Sequence, residues 1–219
     1  MSRCPRGPRM SRKAMASAGA LGAGVVGAAV WWRKYPSPCP YGQRFWVEAP
    51  HPFITRRRLR EALAPQPGET VLEVGPGTGY YTLPVGQWLG GSGTLHIFDL
   101  QPEMLDHTAR RAAERGIANI HAAQGDARWL PFDDATFDAA YLVTVLGEIP
   151  DQVAALRELR RVIKPGGRLV VGELLGDPHF VTAHALRRRA ASAGLELERR
   201  VGRRFGYFGV LRRVGPCAS

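Results

Sequence analysis

The stretch "VLEVGPGTGYYT", Val71 to Thr82, decides the fold of this chain. Its first four residues predict a short strand, and the Gly-Pro-Gly-Thr-Gly segment that follows cannot continue that strand. The residues after Gly79 predict the start of a helix. A strand, a tight glycine turn and a helix start present backbone N–H groups and a helix dipole, which favour a polar or anionic ligand.

Helix-like and strand-like segments alternate on both sides of this turn from about residue 54 onward. Helices are predicted in "ITRRRLREALA", "YYTLPVGQWL", "PEMLDHTARRAAERG", "DQVAALRELRRVI" (closed by "KPGG") and "HALRRRAASAG". Further strands are predicted in "TLHIFDL", "NIHAAQGD", "FDAAYLVTVL" and "RLVVGELL", and "LELERRVG" with "GYFGVLRRV" predicts a terminal hairpin. This order predicts an α/β fold with a doubly wound, mostly parallel, Rossmann-like sheet and a C-terminal antiparallel hairpin.

The spacing of the glycines distinguishes between kinds of nucleotide site. The dinucleotide pattern G-x-G-x-x-G fails because Tyr80 stands at its third glycine, and a phosphate-binding loop would need a lysine that is not present. The pattern present is E-x-G-x-G-x-G, from Glu73 to Gly79. Gly75 and Gly77 let the backbone approach a ligand closely, and Glu73 could accept a hydrogen bond from an amine.

Acidic residues end the next two predicted strands. Asp99 ends one strand, where a carboxylate can accept from the two hydroxyls of a ribose. Gly125-Asp126-Ala127 ends the following strand, where a carboxylate could accept from an adenine amino group. Each acid alone also fits a solvated strand end or a turn. Together with the glycine turn they predict a nucleoside-binding crevice.

With these residues in place, the chain resembles the class I S-adenosylmethionine-dependent methyltransferases and is most similar to the ubiquinone/menaquinone C-methyltransferase group. The resemblance rests on "VLEVGPGTGYYT", "GDARWLPFDDATFDAAYLVTVLGEIPD" and "LRELRRVIKPGGRLVVGE", and it covers about residues 54–214. It implies a seven-stranded sheet and S-adenosyl-L-methionine as the cofactor. It also implies site roles: the methionine part is cradled by Glu73, Gly75, Gly77 and Gly79, the ribose is held by Asp99, and the adenine is faced by Asp126 with Ala127.

The sequence does not assign a catalytic residue. In-line methyl transfer depends mainly on alignment, and it needs a general base only when the acceptor loses a proton. Glu148 and His179 are candidates because they follow the fourth and fifth predicted strands. Glu148 also fits a helix-start acid, and His179 also fits an ordinary loop histidine.

The three cysteines are far apart in sequence and form no C-x-x-C pair, so no metal site is predicted.

The nature of the methyl acceptor is narrowed by motifs that the sequence lacks. "VTVLGEIPD" stands where amide- and adenine-methylating relatives carry N-P-P-[YF], which disfavours amide and adenine acceptors. No cysteine lies near the predicted site, which disfavours methylation that needs a cysteine thiol. A small-molecule acceptor is therefore favoured, and a lipophilic one if the N-terminal segment contacts a membrane. The alternatives are an RNA or protein methyltransferase, suggested by "TRRRLR", "LRRRA" and "RRVGRRF", and a non-catalytic cofactor-binding partner. The oligomeric state is not predicted.

The positive charge of the chain is concentrated at its N-terminus. Of the net charge of +11, residues 1–50 contribute eight Lys/Arg and one acid, while the remainder holds 22 and 18, which disfavours nucleic acid as the partner of the folded domain.

Three segments are predicted: residues 1–34 form a basic N-terminus with an uncharged run, residues 35–53 form a Pro/aromatic arm, and residues 54–219 form the methyltransferase domain. The uncharged run, Ala14–Trp32, has the length of a marginal membrane anchor. A disordered extension and a cleaved signal or transit peptide are the alternatives. A cytoplasmic location is expected, with membrane association through residues 14–32 as one alternative.

Overall fold

The computed structural model describes residues 52–213 of the chain. The basic N-terminus, the uncharged run and all but the last two residues of the Pro/aromatic arm lie outside that range, so the predictions made for them, including the membrane anchor, remain predictions. Within residues 52–213, no helix is both long enough and apolar enough to cross a membrane.

Five α-helices and seven strands form the described part of the chain. In chain order these are α1 (Arg56–Leu63), β1 (Thr70–Val74), α2 (Thr82–Leu89), β2 (Thr94–Asp99), α3 (Pro102–Ala113), β3 (Ile120–Gln124), β4 (Phe137–Val143), α4 (Gln152–Val162), β5 (Ile163–Leu174), α5 (Ala183–Ser192), β6 (Leu195–Arg203) and β7 (Gly206–Arg213). A single 3₁₀ turn, Leu146–Glu148, follows β4.

The seven strands form one sheet in the order β3-β2-β1-β4-β5-β7-β6. The first five strands pair in parallel, and β7 pairs antiparallel with both β5 and β6. The doubly wound sheet with a reversed C-terminal hairpin is therefore confirmed. The strand order turns between β1 and β4, and ligands of such sheets bind at this switch point, outside the carboxyl ends of the strands.

Apolar side chains pack on both faces of the central strands β1 and β4, which explains why these two strands have few polar residues. Alternate residues of β4 point to opposite sides. Leu142 joins a core cluster with α4 and α5, while Tyr141 joins a second cluster with α1 and α2. Both side chains are fully buried. The sheet is thus a rigid layer, and its carboxyl edge is the surface left for a site.

Two strand ends differ from the sequence prediction. β5 begins directly after α4 at Ile163, so "KPGG" lies inside the strand instead of separating it from the helix. The pairing with β4 jumps from Phe137↔Ile163 to Ala139↔Arg168, so these residues form a bulge. β4 in turn stops at Val143, because Thr144 has a left-handed φ of 57° that an extended strand cannot accommodate.

Candidate functional site

The turn between β1 and α2 has a conformation that requires glycine. Gly75, Gly77 and Gly79 have φ values of 71°, 54° and 83°, a region that other residues rarely adopt. The Gly75 N–H donates to the Phe98 carbonyl on β2 at 2.8 Å. The Thr108 hydroxyl on α3 donates to the Gly77 carbonyl at 2.9 Å. Hydrogen bonds to β2 and from α3 therefore hold the turn in place.

A cavity of about 220 Å³ opens beside this turn at the carboxyl ends of β1, β2, β3 and β4. Its wall is largely apolar, with carboxylates at three positions. The lining residues are Val74, Gly75, Gly77, Phe98, Asp99, Leu100, Gln101, Met104, Gly125, Asp126, Ala127, Arg128, Val143, Thr144, Val145, Glu148, Ile149 and Pro150. Five of the seven residues predicted to hold the cofactor are brought together here; Glu73 and Gly79 are not in the wall.

Asp99 lies at the end of β2, on one side of the cavity. Its Oδ1 accepts from the backbone N–H of Gln101 at 2.9 Å. Burial raises the pKa of the Asp99 carboxyl to about 6, against the opposing effect of backbone N–H groups of Gln101 and Leu100. Because a carboxylate can accept about four hydrogen bonds, Asp99 has capacity beyond these backbone donors for a pair of hydroxyl groups such as those of a ribose.

Asp126 is engaged by Arg128, a contact that the sequence did not predict. The Arg128 Nη2 lies 2.7 Å from Oδ2 of Asp126, and Nε lies 3.0 Å from Oδ1. The Arg128 backbone N–H also donates to Oδ1 at 2.9 Å. Hydrogen bonds from Arg128 hold the pKa of Asp126 below its usual range. The carboxylate therefore has little capacity left for an adenine amino group, although Asp126 and Ala127 both line the cavity.

Gly125 allows β3 to pass close to an aromatic ring of β2. A Cβ added at Gly125 would lie 2.6 Å from the Cζ of Phe98. Phe98 is fully buried, and both residues line the cavity. Because any side chain at Gly125 would displace this ring, the position keeps the cavity open on the side of Asp126.

Glu73 lies inside the protein on the face of the sheet covered by α2. Its carboxyl is buried with Thr82 and Tyr141 nearby, and its Oε2 has no hydrogen-bond partner within residues 52–213. Burial raises its pKa to about 7, and the two neighbouring hydroxyls oppose that shift without completing well-aligned hydrogen bonds. A direct contact with a ligand, as expected from the sequence, remains a prediction.

Gly79 also lies behind the cavity wall and not in it. A Cβ added at Gly79 would lie 3.1 Å from Cγ2 of Thr108 on α3. Gly79 therefore allows the turn to pack closely on α3. A contact between Gly79 and a ligand remains a prediction, whereas Gly75 and Gly77 lie in the cavity wall.

The two candidate catalytic residues come from neighbouring loops. Glu148 lines the cavity at the end of the 3₁₀ turn. His179 is not in the wall, but its backbone packs against Gly147, where an added Cβ would overlap the His179 carbonyl oxygen. The His179 N–H donates to Asp177 Oδ1 at 2.7 Å, which shapes that loop. Glu148 is thus the candidate that can reach a bound molecule.

Sequence reasoning missed two features of the cavity and one buried acid beside it. Thr144 and Val145 line the cavity after β4, and the left-handed φ of Thr144 has no signature in its residue type. Glu173 on β5 is buried, and its Oε2 accepts from the Val181 N–H at 2.9 Å. Burial raises the pKa of Glu173 to about 8.

Among residues 52–213, no group of three His, Cys, Asp or Glu could hold a metal ion.

The chain is similar to known proteins of one enzyme family. The model of the ubiE/COQ5 methyltransferase family matches residues 51–185. The ubiquinone/menaquinone biosynthesis C-methyltransferase UbiE of Cellvibrio japonicus is 40% identical over 127 residues, covering 58% of this chain and 51% of the relative. The chain spans about half the length of the curated relatives it matches.

Solved structures show the same fold. A SAM-dependent methyltransferase from Aquifex aeolicus superposes with a TM-score of 0.72 at 21% identity, covering 80% of this chain and 98% of that one. The [4+2]-cyclase SpnF superposes with a TM-score of 0.64 at 21% identity, covering 73% and 80%. One architecture therefore carries a methyltransferase and a cyclase, so function has to be argued from the site.

Proposed function

This chain belongs to the ubiE/COQ5 methyltransferase family, and we propose that it transfers the methyl group of S-adenosylmethionine to a small lipophilic acceptor of the quinone or quinol class. The observation that carries the proposal is the cavity at the switch point, whose wall joins the glycine turn to Asp99. The acceptor class comes from the family and from the UbiE relative, whose name refers to ubiquinone and menaquinone.

The residues of the cavity fit a nucleoside-containing cofactor. Gly75 and Gly77 contribute backbone atoms to the cavity wall, and Asp99 offers a carboxylate for ribose hydroxyls. Leu100, Met104 and Ile149 supply apolar surface for a planar base. The opening end of α2 follows the glycine turn, where a carboxylate of the ligand would be stabilised by backbone N–H groups.

The reaction mainly requires the protein to position the cofactor and the acceptor relative to each other. When bound, S-adenosylmethionine supplies an electrophilic methyl group on a sulfonium. The glycine turn and Asp99 fix the cofactor, and the segment from Thr144 to Pro150 faces the space in which an acceptor would lie. Holding the acceptor atom and the methyl group in line lowers the entropic part of the activation barrier. Glu148 is the carboxylate of this segment and is proposed to accept the proton that a ring carbon loses on methylation.

The proposal separates from its alternatives in two steps. Calorimetric titration of S-adenosylhomocysteine into the full chain tests the cofactor site, with Asp99→Ala as the site variant and Asp106→Ala, exposed on α3, as its control. Transfer of a labelled methyl group to a short-chain quinol, compared with transfer to RNA, tests the acceptor. Binding without transfer to any acceptor would support a non-catalytic partner, and no binding at all would overturn the proposal.

A further inference from the structure

Three exposed apolar side chains meet at the carboxyl edge of the sheet, on the side of β5 and the terminal hairpin. Phe53, Leu175 and Phe205 are 43%, 48% and 43% exposed. The rings of Phe53 and Phe205 are 5.6 Å apart at an interplanar angle of 38°. The Leu175 N–H donates to the Phe205 carbonyl at 3.1 Å. We call these three side chains the apolar tip.

The backbone holds the apolar tip in place. The Arg58 Nη1 donates to the Phe53 carbonyl at 2.5 Å. Gly206 lies against Phe53, where an added Cβ would come within 2.6 Å of the Phe53 Cβ. These contacts hold Phe53 at the surface. Burying its ring in the domain would require them to break, so the apolar tip faces outward.

The chain around the apolar tip is strongly basic. Residues 53–58 and 203–206, next to Phe53 and Phe205 in sequence, contain five arginines, and one acid, Asp177, follows Leu175 by two residues. We call these five arginines the arginine rim, and within the described residues none of them forms an ion pair with a carboxylate. The guanidinium of Arg204 lies over the Phe205 ring at 4.8 Å. Five arginines against one partly buried acid give the tip a net positive surrounding, which suits an anionic lipid surface.

The position of the apolar tip relates it to the cavity. Leu175 directly follows β5, and the same loop continues to His179, whose backbone packs on Gly147 beside the cavity wall. The tip and the cavity thus lie on the same edge of the sheet. A protein resting on a bilayer through this tip would turn its cavity toward the membrane surface.

We propose that the apolar tip and its arginine rim dock this protein on an anionic lipid bilayer, from which the acceptor reaches the cavity. The inference rests on the proposed function for the source of the acceptor. Docking itself is independent of methyl transfer, because it is measured without cofactor or acceptor. Single-stranded RNA is the competing partner for a basic surface, but the two tip rings pack against each other beside an aliphatic Leu175, which leaves poor stacking platforms for bases.

The first experiment is hydrogen exchange of the full chain with and without vesicles. Vesicles of phosphatidylcholine containing phosphatidylglycerol are expected to slow exchange in residues 203–206 and 174–177, and pure phosphatidylcholine is expected to do so much less. Absence of protection in both segments would overturn the proposal, whatever other parts of the chain bind. Protection by a short single-stranded RNA but not by vesicles would also overturn it.

The second experiment measures vesicle binding of surface variants by co-sedimentation. L175S/F205S is expected to lower the partition coefficient by about tenfold, because two exposed apolar side chains no longer enter the interface. R203E/R204E is expected to lower it by about tenfold or more, and added salt should reduce this difference. The N-terminal residues are present in every variant, so the differences report the tip and its rim.

Two matched controls keep the assignment specific. W129S removes another exposed aromatic residue, 68% exposed and with Arg128 over its ring at 4.6 Å. R187E/R188E makes the same charge change on the exposed face of α5. Both controls are expected to bind vesicles within about twofold of the parent. Losses as large as those of the tip variants would overturn the proposal, and retained S-adenosylhomocysteine binding would show that each variant is folded.

Discussion

Gly75 packs against the side chain of Val145 so closely that a methyl group at Gly75 would overlap it. The two residues come from the ends of β1 and β4, the strands that flank the switch point, and both line the cavity. Gly75 also has a φ of 71°. Space and backbone conformation therefore both demand glycine at the first position of the turn.

We expect Gly75→Ala to lower S-adenosylhomocysteine affinity at least about tenfold and to destabilise the fold by roughly 1–3 kcal/mol, since both strain and overlap must be relieved. Calorimetry and thermal unfolding measure the two effects. Gly91→Ala is the control, because an added Cβ there meets nothing within 4 Å. Equal behaviour of the two variants would contradict the constraint from Val145.

Cofactor binding should depend on pH through Asp99. Because burial raises the pKa of Asp99 to about 6, the carboxyl becomes neutral in mildly acidic solution and loses part of its capacity to accept from a ribose. We expect S-adenosylhomocysteine to bind about tenfold more weakly at pH 5 than at pH 7.5. Asp99→Asn should bind weakly at both pH values, whereas Asp106→Asn should follow the parent. A pH dependence that persists in Asp99→Asn would point to Glu73, whose pKa is about 7.

The two strand-end acids should contribute unequally to cofactor binding. Asp126 already accepts several hydrogen bonds from Arg128, whereas Asp99 accepts from backbone N–H groups alone. We expect Asp99→Ala to weaken S-adenosylhomocysteine binding by about tenfold to a hundredfold, and Asp126→Ala by less than about fivefold. Titration calorimetry of both variants decides the matter. A larger loss in Asp126→Ala would mean that Arg128 moves away when the cofactor binds.

The ion pair between Arg168 and Glu69 should stabilise the sheet edge beneath α1. Their atoms Nη2 and Oε2 are 2.6 Å apart, and both side chains are mostly buried. Burial alone would raise the pKa of Glu69, but the hydrogen bonds and charge of Arg168 bring it below its usual value. The stabilisation is thus present above the usual glutamate pKa of 4.5 and is lost as pH falls through the lowered one.

We expect Glu69→Gln to lower the free energy of unfolding at pH 7 by about 1–3 kcal/mol, because it leaves Arg168 without its counter-charge. Urea denaturation measures this change. Glu198→Gln is the matched control, since the Glu198–Arg212 pair is far more exposed and should contribute less than about 1 kcal/mol. Similar losses in both variants would refute the importance of burial for this pair.

Glu173 should make the protein less stable in alkaline solution. Burial raises its pKa from 4.5 to about 8, so the folded state holds a proton that the unfolded state releases. This contribution is fully present below the unfolded pKa and is lost as pH rises through about 8. Between pH 5 and pH 9 the parent should therefore lose roughly 2 kcal/mol or more relative to Glu173→Gln, which stays neutral.

The matched control for this pH dependence is Glu196→Gln, which changes an exposed glutamate of β6. Its unfolding free energy should follow the parent at every pH. If Glu173→Gln also follows the parent, Glu173 is ionised in the folded state and the burial argument fails.

Much of the fold could be predicted from local sequence. The apolar run of β4 indicated a central strand, and the pattern from Glu73 to Gly79 indicated a strand, a turn and a helix. These predictions succeed because side-chain periodicity and glycine conformational freedom act over a few residues. The sequence also indicated that Asp99 and Asp126 end neighbouring strands, so their meeting at one edge followed from parallel pairing.

What the sequence alone determined is the order of elements along the chain and the identity of the residues at the strand ends, while the strand order that sets the switch point came from the structure. What only the tertiary structure decided is how those residues are engaged: Glu73 is buried behind the turn, Asp126 is held by Arg128, and Gly75 meets Val145. The physical reason is that desolvation and hydrogen-bond partners depend on atoms that are distant in sequence, and spacing along the chain carries no record of them.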